Sequence, residues 1–293
     1  MAERTVAVIT DSVCGLAGSI AAEFGVYMIP VRVTTPDGTF MDGVGFGPDE
    51  AIAAMDAGKS VETAEPQVAA MQTAFTECAN AGAKAIVCVH VSSELSGTVS
   101  AARAAAATSP IPVTVIDTGT TGMAQGYAAL AAGAVSLAGG SADEVAETAR
   151  ATAKSSQVYF TVDTLDYLRR SGRISGAIAT FGSMLKLRPI MSIREGKVES
   201  IDRKRGTDAA RADVRGLAER SAAAMLRPAG AVGLVGSQSV PAEFHMSIHG
   251  PTLESDPPTS LAIHTGPGMY YAAVAQMPQA YFDVLRGSSV GAP

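Results

Sequence analysis

Short apolar runs alternate with amphipathic stretches along the first half of the chain. The run TVAVIT (5–10) is apolar between polar flanks and predicts a buried strand. Residues 15–24 predict a helix, and VYMIPVRV (26–33) a second strand, with Pro30 marking an edge or a bulge. Pro48 opens a helix that stops before Gly58. A helix over 66–82 ends at Gly82, and a strand over 84–91 leads into a helix over 97–107. A strand at 112–117 and a helix at 121–138 complete the series. Strands alternating with helices imply a parallel sheet with helices on both faces, in the Rossmann manner.

The texture changes after Ser141 and Glu144, which have capping-box spacing at the head of another helix. Residues 158–165 predict a strand, and RPIMSIREGKVESIDRKRG two strands around the turn REGK. Residues 207–226 predict an amphipathic helix capped by Thr207, with further strands at 231–237 and 260–266. The expected architecture is α/β with two domains. An N-terminal Rossmann-like domain spans 1–154, and a C-terminal α/β domain with a mixed, partly antiparallel sheet spans 155–293. The tail GSSVGAP is expected to fray.

Composition narrows the function. Of 293 residues, 47% are hydrophobic and 17% charged, which disfavours disorder. A net charge of -6 disfavours nucleic acid and anionic membrane surfaces as partners. No apolar stretch is long enough for stable membrane insertion, and the N-terminal apolar run is too short for a signal peptide. Cys14, Cys78 and Cys88 are scattered, without any C-x-x-C. A reducing, cytoplasmic setting is the expectation.

Ligands of parallel sheets sit beyond the carboxyl ends of the strands. The turns there read TDS (10–12), HVSSELSGT (90–98) and DTGTTG (117–122). None has the lysine of a phosphate loop. A helix starting near Ser96 and Thr98 offers free N–H groups and hydroxyls that suit an anionic oxygen pair, or Ser96 simply caps that helix. Thr63 is an ordinary turn residue, or joins Ser96 if the two loops meet. Arg169 and Arg170 complement the end of a short helix stopped by Gly172. Arg173 lies beyond that stop in GRISG and suits a fixed donor aimed into a cleft. His264, in HTGPG, is a donor, a base or a structural residue. His245 and His249 have zinc-compatible spacing but no evident third ligand, so no metal is expected. Ser96, His264 and Asp11 do not make a recognisable triad motif, since G-x-S-x-G is absent.

The segments VITDS, TAEP, HVSSELSGT, VYFTVDTLDYLRRSGRISG and HTGPG, in this order from about residue 5 to about 270, resemble the DegV family of bacterial lipid-binding proteins. The resemblance implies a two-domain protein that binds one long-chain fatty acid as its ligand, without a cofactor. It implies a non-catalytic carrier whose cargo is phosphorylated on the carboxylate by a separate fatty acid kinase subunit that brings ATP. By motif, Thr63 and Ser96 would bind the carboxylate. Arg173, His264, Thr265, Asp11 and Ser12 would form a supporting polar network, and Arg205 would face the kinase. The family commonly has Thr-Ser-Gln-Pro where this chain has Thr63-Ala64-Glu65-Pro66, which puts an acid beside the expected carboxylate. The alternative is a stand-alone hydrolase or phosphotransferase using His264.

Overall fold

The computed structural model describes residues 5–174, 187–237 and 239–287. The Ser175–Gly176 end of GRISG and the tail beyond residue 287 lie outside them. The chain is α/β. Strand β1 (Val6–Asp11) runs into a 3-10 turn (Ser12–Cys14) and then helix α1 (Gly18–Glu23), so the helix expected over 15–24 is shorter. The run 26–33 is not one strand but two. Strand β2 (Val26–Ile29) pairs with β1, and β3 (Arg32–Thr35) belongs to another sheet. Pro30 falls at the break, where its missing N–H ends the ladder.

Strand β3 pairs with β4 (Gly38–Met41), and helix α2 (Pro48–Asp56) follows with its proline at the first position. Strand β5 (Glu62–Ala64) returns to β3, with Thr63 opposite Val33. Helix α3 (Val68–Asn80), strand β6 (Ala85–His90), helix α4 (Thr98–Ala106) and strand β7 (Val113–Asp117) resume the expected alternation. The sheet β2-β1-β6-β7 is parallel throughout. One face is covered by α3 and α4 through Ile9, Phe75, Ile86 and Ala102.

Helix α5 (Gly122–Leu137) is buried on nearly every side, and α6 (Ala142–Ser155) packs beside it. The capping box is present: the Ser141 hydroxyl accepts from Glu144 N–H, and Ser141 N–H donates back to the Glu144 carboxylate. All-round burial explains why α5 is rich in Ala and Gly. A Cβ on Gly133 would stand 2.9 Å from Val26 Cγ2 and collide with the Phe24 carbonyl. That close approach lets α5 lie flat on the parallel sheet.

Beyond α6 come β8 (Gln157–Thr161), α7 (Asp166–Arg170), β9 (Leu187–Arg194) and β10 (Lys197–Arg205). Glu195 and Gly196, both with positive φ, make the predicted tight hairpin turn. Helix α8 (Thr207–Ala223) follows; Gly206 takes the cap position, and the Thr207 hydroxyl instead accepts from Arg188 Nε. Strands β11 (Pro228–Leu234) and β12 (Thr252–Glu254), helix α9 (Thr259–Thr265), strand β13 (Tyr270–Gln276) and helix α10 (Gln279–Gly287) complete the chain. The second sheet runs β10-β9-β8-β13-β11-β12, antiparallel except for the β11–β12 pair.

Residues 260–266, expected as a strand, form α9. Short apolar runs do not distinguish the two states by period. The flanks decide it: Pro258 precedes the first turn, and Gly266 ends the helix at φ 76°. A side chain on Gly266 would run into the Tyr167 ring. Alternation places Val158 and Phe160 on one face of β8 and Tyr159 on the other, where its hydroxyl meets Ser221 of α8. The molecule is therefore layered: α3 and α4, the parallel sheet, α5 and α6, the mixed sheet, then α8.

Candidate functional site

A cavity of about 110 Å³ lies between the ends of the two sheets. Val158 and Phe160 of β8, Ile193 of β9, Val198 of β10 and Tyr271 of β13 form an apolar wall. The register explains the clustering, since Phe160 pairs with Tyr271 and Ile193 with Val198. The polar end carries Thr63, Glu65, Ser96, Arg173, His264 and Thr265.

Five polar residues singled out in the sequence thus meet at one place: Thr63, Ser96, Arg173, His264 and Thr265. Helix α9 makes this possible. Its period puts Leu261, His264 and Thr265 on one face, whereas a strand would have turned His264 and Thr265 to opposite sides. The hairpin tip closes the site from the other sheet: the Ser92 hydroxyl donates to the Gly196 carbonyl at 2.9 Å, and Lys197 pairs with Glu94 at 3.3 Å.

The Thr63 Oγ1 and His264 Nε2 atoms are 2.8 Å apart. Burial, with the nearby Arg173 charge, pushes the His264 pKa down to about 4, so the ring is neutral at pH 7. With the proton on Nε2, the ring donates to Thr63 and leaves the Thr63 O–H to donate into the cavity. His264 Nδ1 is buried and has no hydrogen-bond partner among the described residues. Ser96 has the same logic. Its Oγ accepts from Thr98 N–H at 3.3 Å and lies 2.9 Å from the Thr98 hydroxyl. If that hydroxyl donates as well, both lone pairs of Ser96 are used and its own O–H is free. Gly97, not Ser96, is the cap residue of α4. Arg173 donates from Nε to the Leu95 carbonyl at 3.3 Å and from its fork to the Ser171 carbonyl. Its guanidinium is held against the backbone of the Ser96 turn.

Other candidates lie elsewhere. Asp11 is fully buried, and its Oδ2 lies 2.9 Å from His90 Nδ1 and accepts from Val91 N–H. Ser12 donates to Asp42 Oδ2, which also accepts from Ser260 of the cavity wall. Ser12 does not line the cavity itself; it reaches the wall through Asp42 to Ser260 and by accepting from the Val31 N–H at 3.1 Å. Arg205 is exposed at the end of β10, opposite Leu187, and does not line the cavity. Ser96, His264 and Asp11 form no triad: His264 is engaged by Thr63 and Asp11 by His90. His245 and His249 bond separately to the Val240 and Met225 carbonyls. Among the described residues no group of three or more His, Cys, Asp and Glu could hold a metal ion, and no helix is long and apolar enough to cross a membrane.

The residues that sequence reasoning missed are His90, Asp42 and Ser260. The parallel register of β1 and β6 aligns Thr10 with Val89, which brings the next residues, Asp11 and His90, together. That adjacency was available only once the strand pairing was known.

A family model described as "Uncharacterised protein, DegV family" matches residues 5–270. The chain belongs to the DegV family. A DegV domain-containing protein of Streptomyces coelicolor is 38% identical over 202 residues, covering 69% of this chain and 72% of that one. A solved DegV family protein from Thermus thermophilus, described by its fatty acid binding, superposes with a TM-score of 0.85 at 27% identity, covering 93% of this chain and all of its own. DegV of Bacillus subtilis, described as a fatty acid binding protein, superposes with a TM-score of 0.82 at 23% identity, covering 94% of this chain and 100% of its own. The last likeness speaks for the DegV fold alone.

Glu65 is the local departure in this DegV chain. It is exposed, and its carboxyl carbon lies 3.3 Å from where a Cβ on Gly97 would stand, so it faces the start of α4 at the polar end of the cavity. A carboxylate there would repel an anionic group at the polar end through solvent. Glu65→Gln is expected to tighten binding of a fatty carboxylate by roughly two- to fivefold at low salt. The gain should shrink as ionic strength rises. Titration calorimetry at two salt concentrations checks both points.

Proposed function

We propose that this protein binds a long-chain fatty acid with its carboxylate between Thr63 and Ser96, beside Arg173, and presents it to a separate ATP-dependent kinase subunit for acyl phosphate formation. The observation that carries the reading is the convergence of two hydroxyls and a fixed guanidinium on the polar end of an apolar-walled cavity. A buried carboxylate without partners would cost several kcal/mol. Donors aimed at it keep it ionised and offset that cost. The fatty acid binding described for the Thermus thermophilus relative supports the same ligand class here.

The tail supplies affinity. At about 0.8 kcal/mol per buried CH₂, a chain of roughly 16 carbons has a ceiling on the order of 12 kcal/mol. Ordering the ligand reduces that considerably. In this reading the protein is the non-catalytic partner, and exposed Arg205 belongs to the surface that meets the kinase. The experiment is denaturing extraction of purified protein followed by mass spectrometry, with an ATP turnover assay on the protein alone. A co-purified long-chain fatty acid and no turnover are expected. A nucleotide or sugar phosphate in the extract, or turnover without a partner, contradicts the reading.

A further inference from the structure

A second cleft, of about 660 Å³, shares no lining residue with the cavity of Thr63 and Ser96. Strand β2, at the edge of the parallel sheet, borders it through Met28, together with the loop between β4 and α2 and the segment before α9. Its charges are all of one sign. Asp42, Asp49 and Asp256 line it, and no Lys, Arg or His does. Among the described residues none of the three aspartates makes an ion pair.

Asp42 is the decisive member. It is only 6% exposed, and its Oδ2 accepts from the Ser12 and Ser260 hydroxyls at 2.9 and 2.8 Å. Its Oδ1 is buried and has no hydrogen-bond partner among the described residues. A buried carboxylate oxygen without a donor is costly, and a cation entering the cleft that Asp42 lines would offset the cost. Asp49 sits in the first turn of α2, where the helix dipole favours its charge, and Asp256 is exposed. These two add negative potential along the cleft. Met28, Pro30, Pro48, Pro257 and Pro258 supply apolar wall. A proline offers a carbonyl acceptor but no N–H, so these residues give an anion nothing to accept from.

A metal ion needs several donors converging on one point. Among the described residues no group of three or more His, Cys, Asp and Glu could hold one, so the three carboxylates are spread rather than gathered. A linear aliphatic polyamine fits that distribution. Its ammonium groups are separated by short methylene runs, which can lie against apolar wall while the charges meet separate carboxylates. We propose that this cleft binds an aliphatic polyamine, with one ammonium on Asp42 and the others on Asp49 and Asp256. The proposal is independent of the fatty acid reading above.

The test titrates spermidine, and a neutral aliphatic diol of similar length, into the full-length protein by calorimetry at low salt. Saturable binding of spermidine and none of the diol are expected. Asp42→Asn keeps an acceptor for Ser12 and Ser260 and should weaken spermidine binding about tenfold. The paired substitution Asp49→Asn and Asp256→Asn, at exposed positions, should cost a similar factor without touching the core. Val44, 66% exposed where it lines the cleft, gives a variant of opposite sign. Val44→Glu should tighten binding by roughly two- to fivefold, a gain that misfolding cannot mimic. Asp143→Asn with Glu147→Gln, on exposed α6 positions away from the cleft, changes the net charge equally and should leave binding unchanged. No saturable spermidine binding, equal binding of the diol, or no gain from Val44→Glu overturns the site. So does a loss from the α6 pair as large as from the cleft pair, which would mean attraction to net charge alone. Displacement of spermidine by an equal concentration of magnesium would mean a metal site and overturns it too.

Discussion

Thr63→Val together with Ser96→Ala is expected to weaken fatty carboxylate binding by about 3 kcal/mol, on the order of a hundredfold or more. A hydrogen bond to a charged group is worth about 1.5–3 kcal/mol, and in the proposed site the two hydroxyls would act on one headgroup, so their effects will not add simply. Both substitutions remove the donor and keep most of the volume. They also disturb the protein's own bonds, since Thr63 partners His264 and Ser96 accepts from Thr98 N–H. The control is therefore a fatty alcohol of equal chain length. It fills the same apolar wall but brings no charge to the polar end. The variant should lose far more affinity for the acid than for the alcohol, by calorimetry or fluorescence displacement. Equal losses for the two ligands would mean that the hydroxyls shape the cavity rather than hold the carboxylate.

The delipidated protein should lose stability steeply between about pH 6.5 and pH 4 because of His264. Its folded pKa is lowered to about 4 from an ordinary 6.5 by burial and by Arg173. In that interval the unfolded chain binds the proton and the folded chain does not, so stability falls as pH falls. The contribution is intact above the unfolded value and is lost progressively down to the folded one. A shift of this size corresponds to about 3 kcal/mol. His264→Gln keeps a donor for Thr63 and removes the titration. Chemical denaturation at pH 7 and pH 4 should show a smaller drop for the variant than for wild type by about that amount. Parallel drops would mean that His264 is not held neutral.

Much of this architecture was readable from hydrophobic pattern. The strands around Val8, Val87 and Val115 are apolar, lie between polar turns and alternate with helices, so the parallel sheet followed directly. The hairpin at Glu195–Gly196 was legible because the turn chemistry is local. The three-stranded sheet was not. Its strands are three or four residues long and largely polar, and only their pairing makes them strands. Helix α9 was misread because seven apolar-rich residues carry no decisive period, and that error mattered for the site. As a helix, the segment brings His264 to Thr63, a contact 201 residues apart in sequence.

For the site, local chemistry left Ser96 open between cap and ligand donor. The structure gives the cap position to Gly97 and puts Ser96 on the cavity wall.

The most direct test of the central claim is carbon-13 NMR of a carboxyl-labelled long-chain fatty acid bound to the protein. An ionised headgroup held by Thr63, Ser96 and Arg173 should give a narrow carboxyl resonance that stays in its ionised position on acidification to about pH 5, well below where the same acid titrates in a micelle. That resonance should move when Ser96 is replaced by alanine. A carboxyl signal that titrates as it does in a micelle, or that is indifferent to Ser96→Ala, would contradict the account.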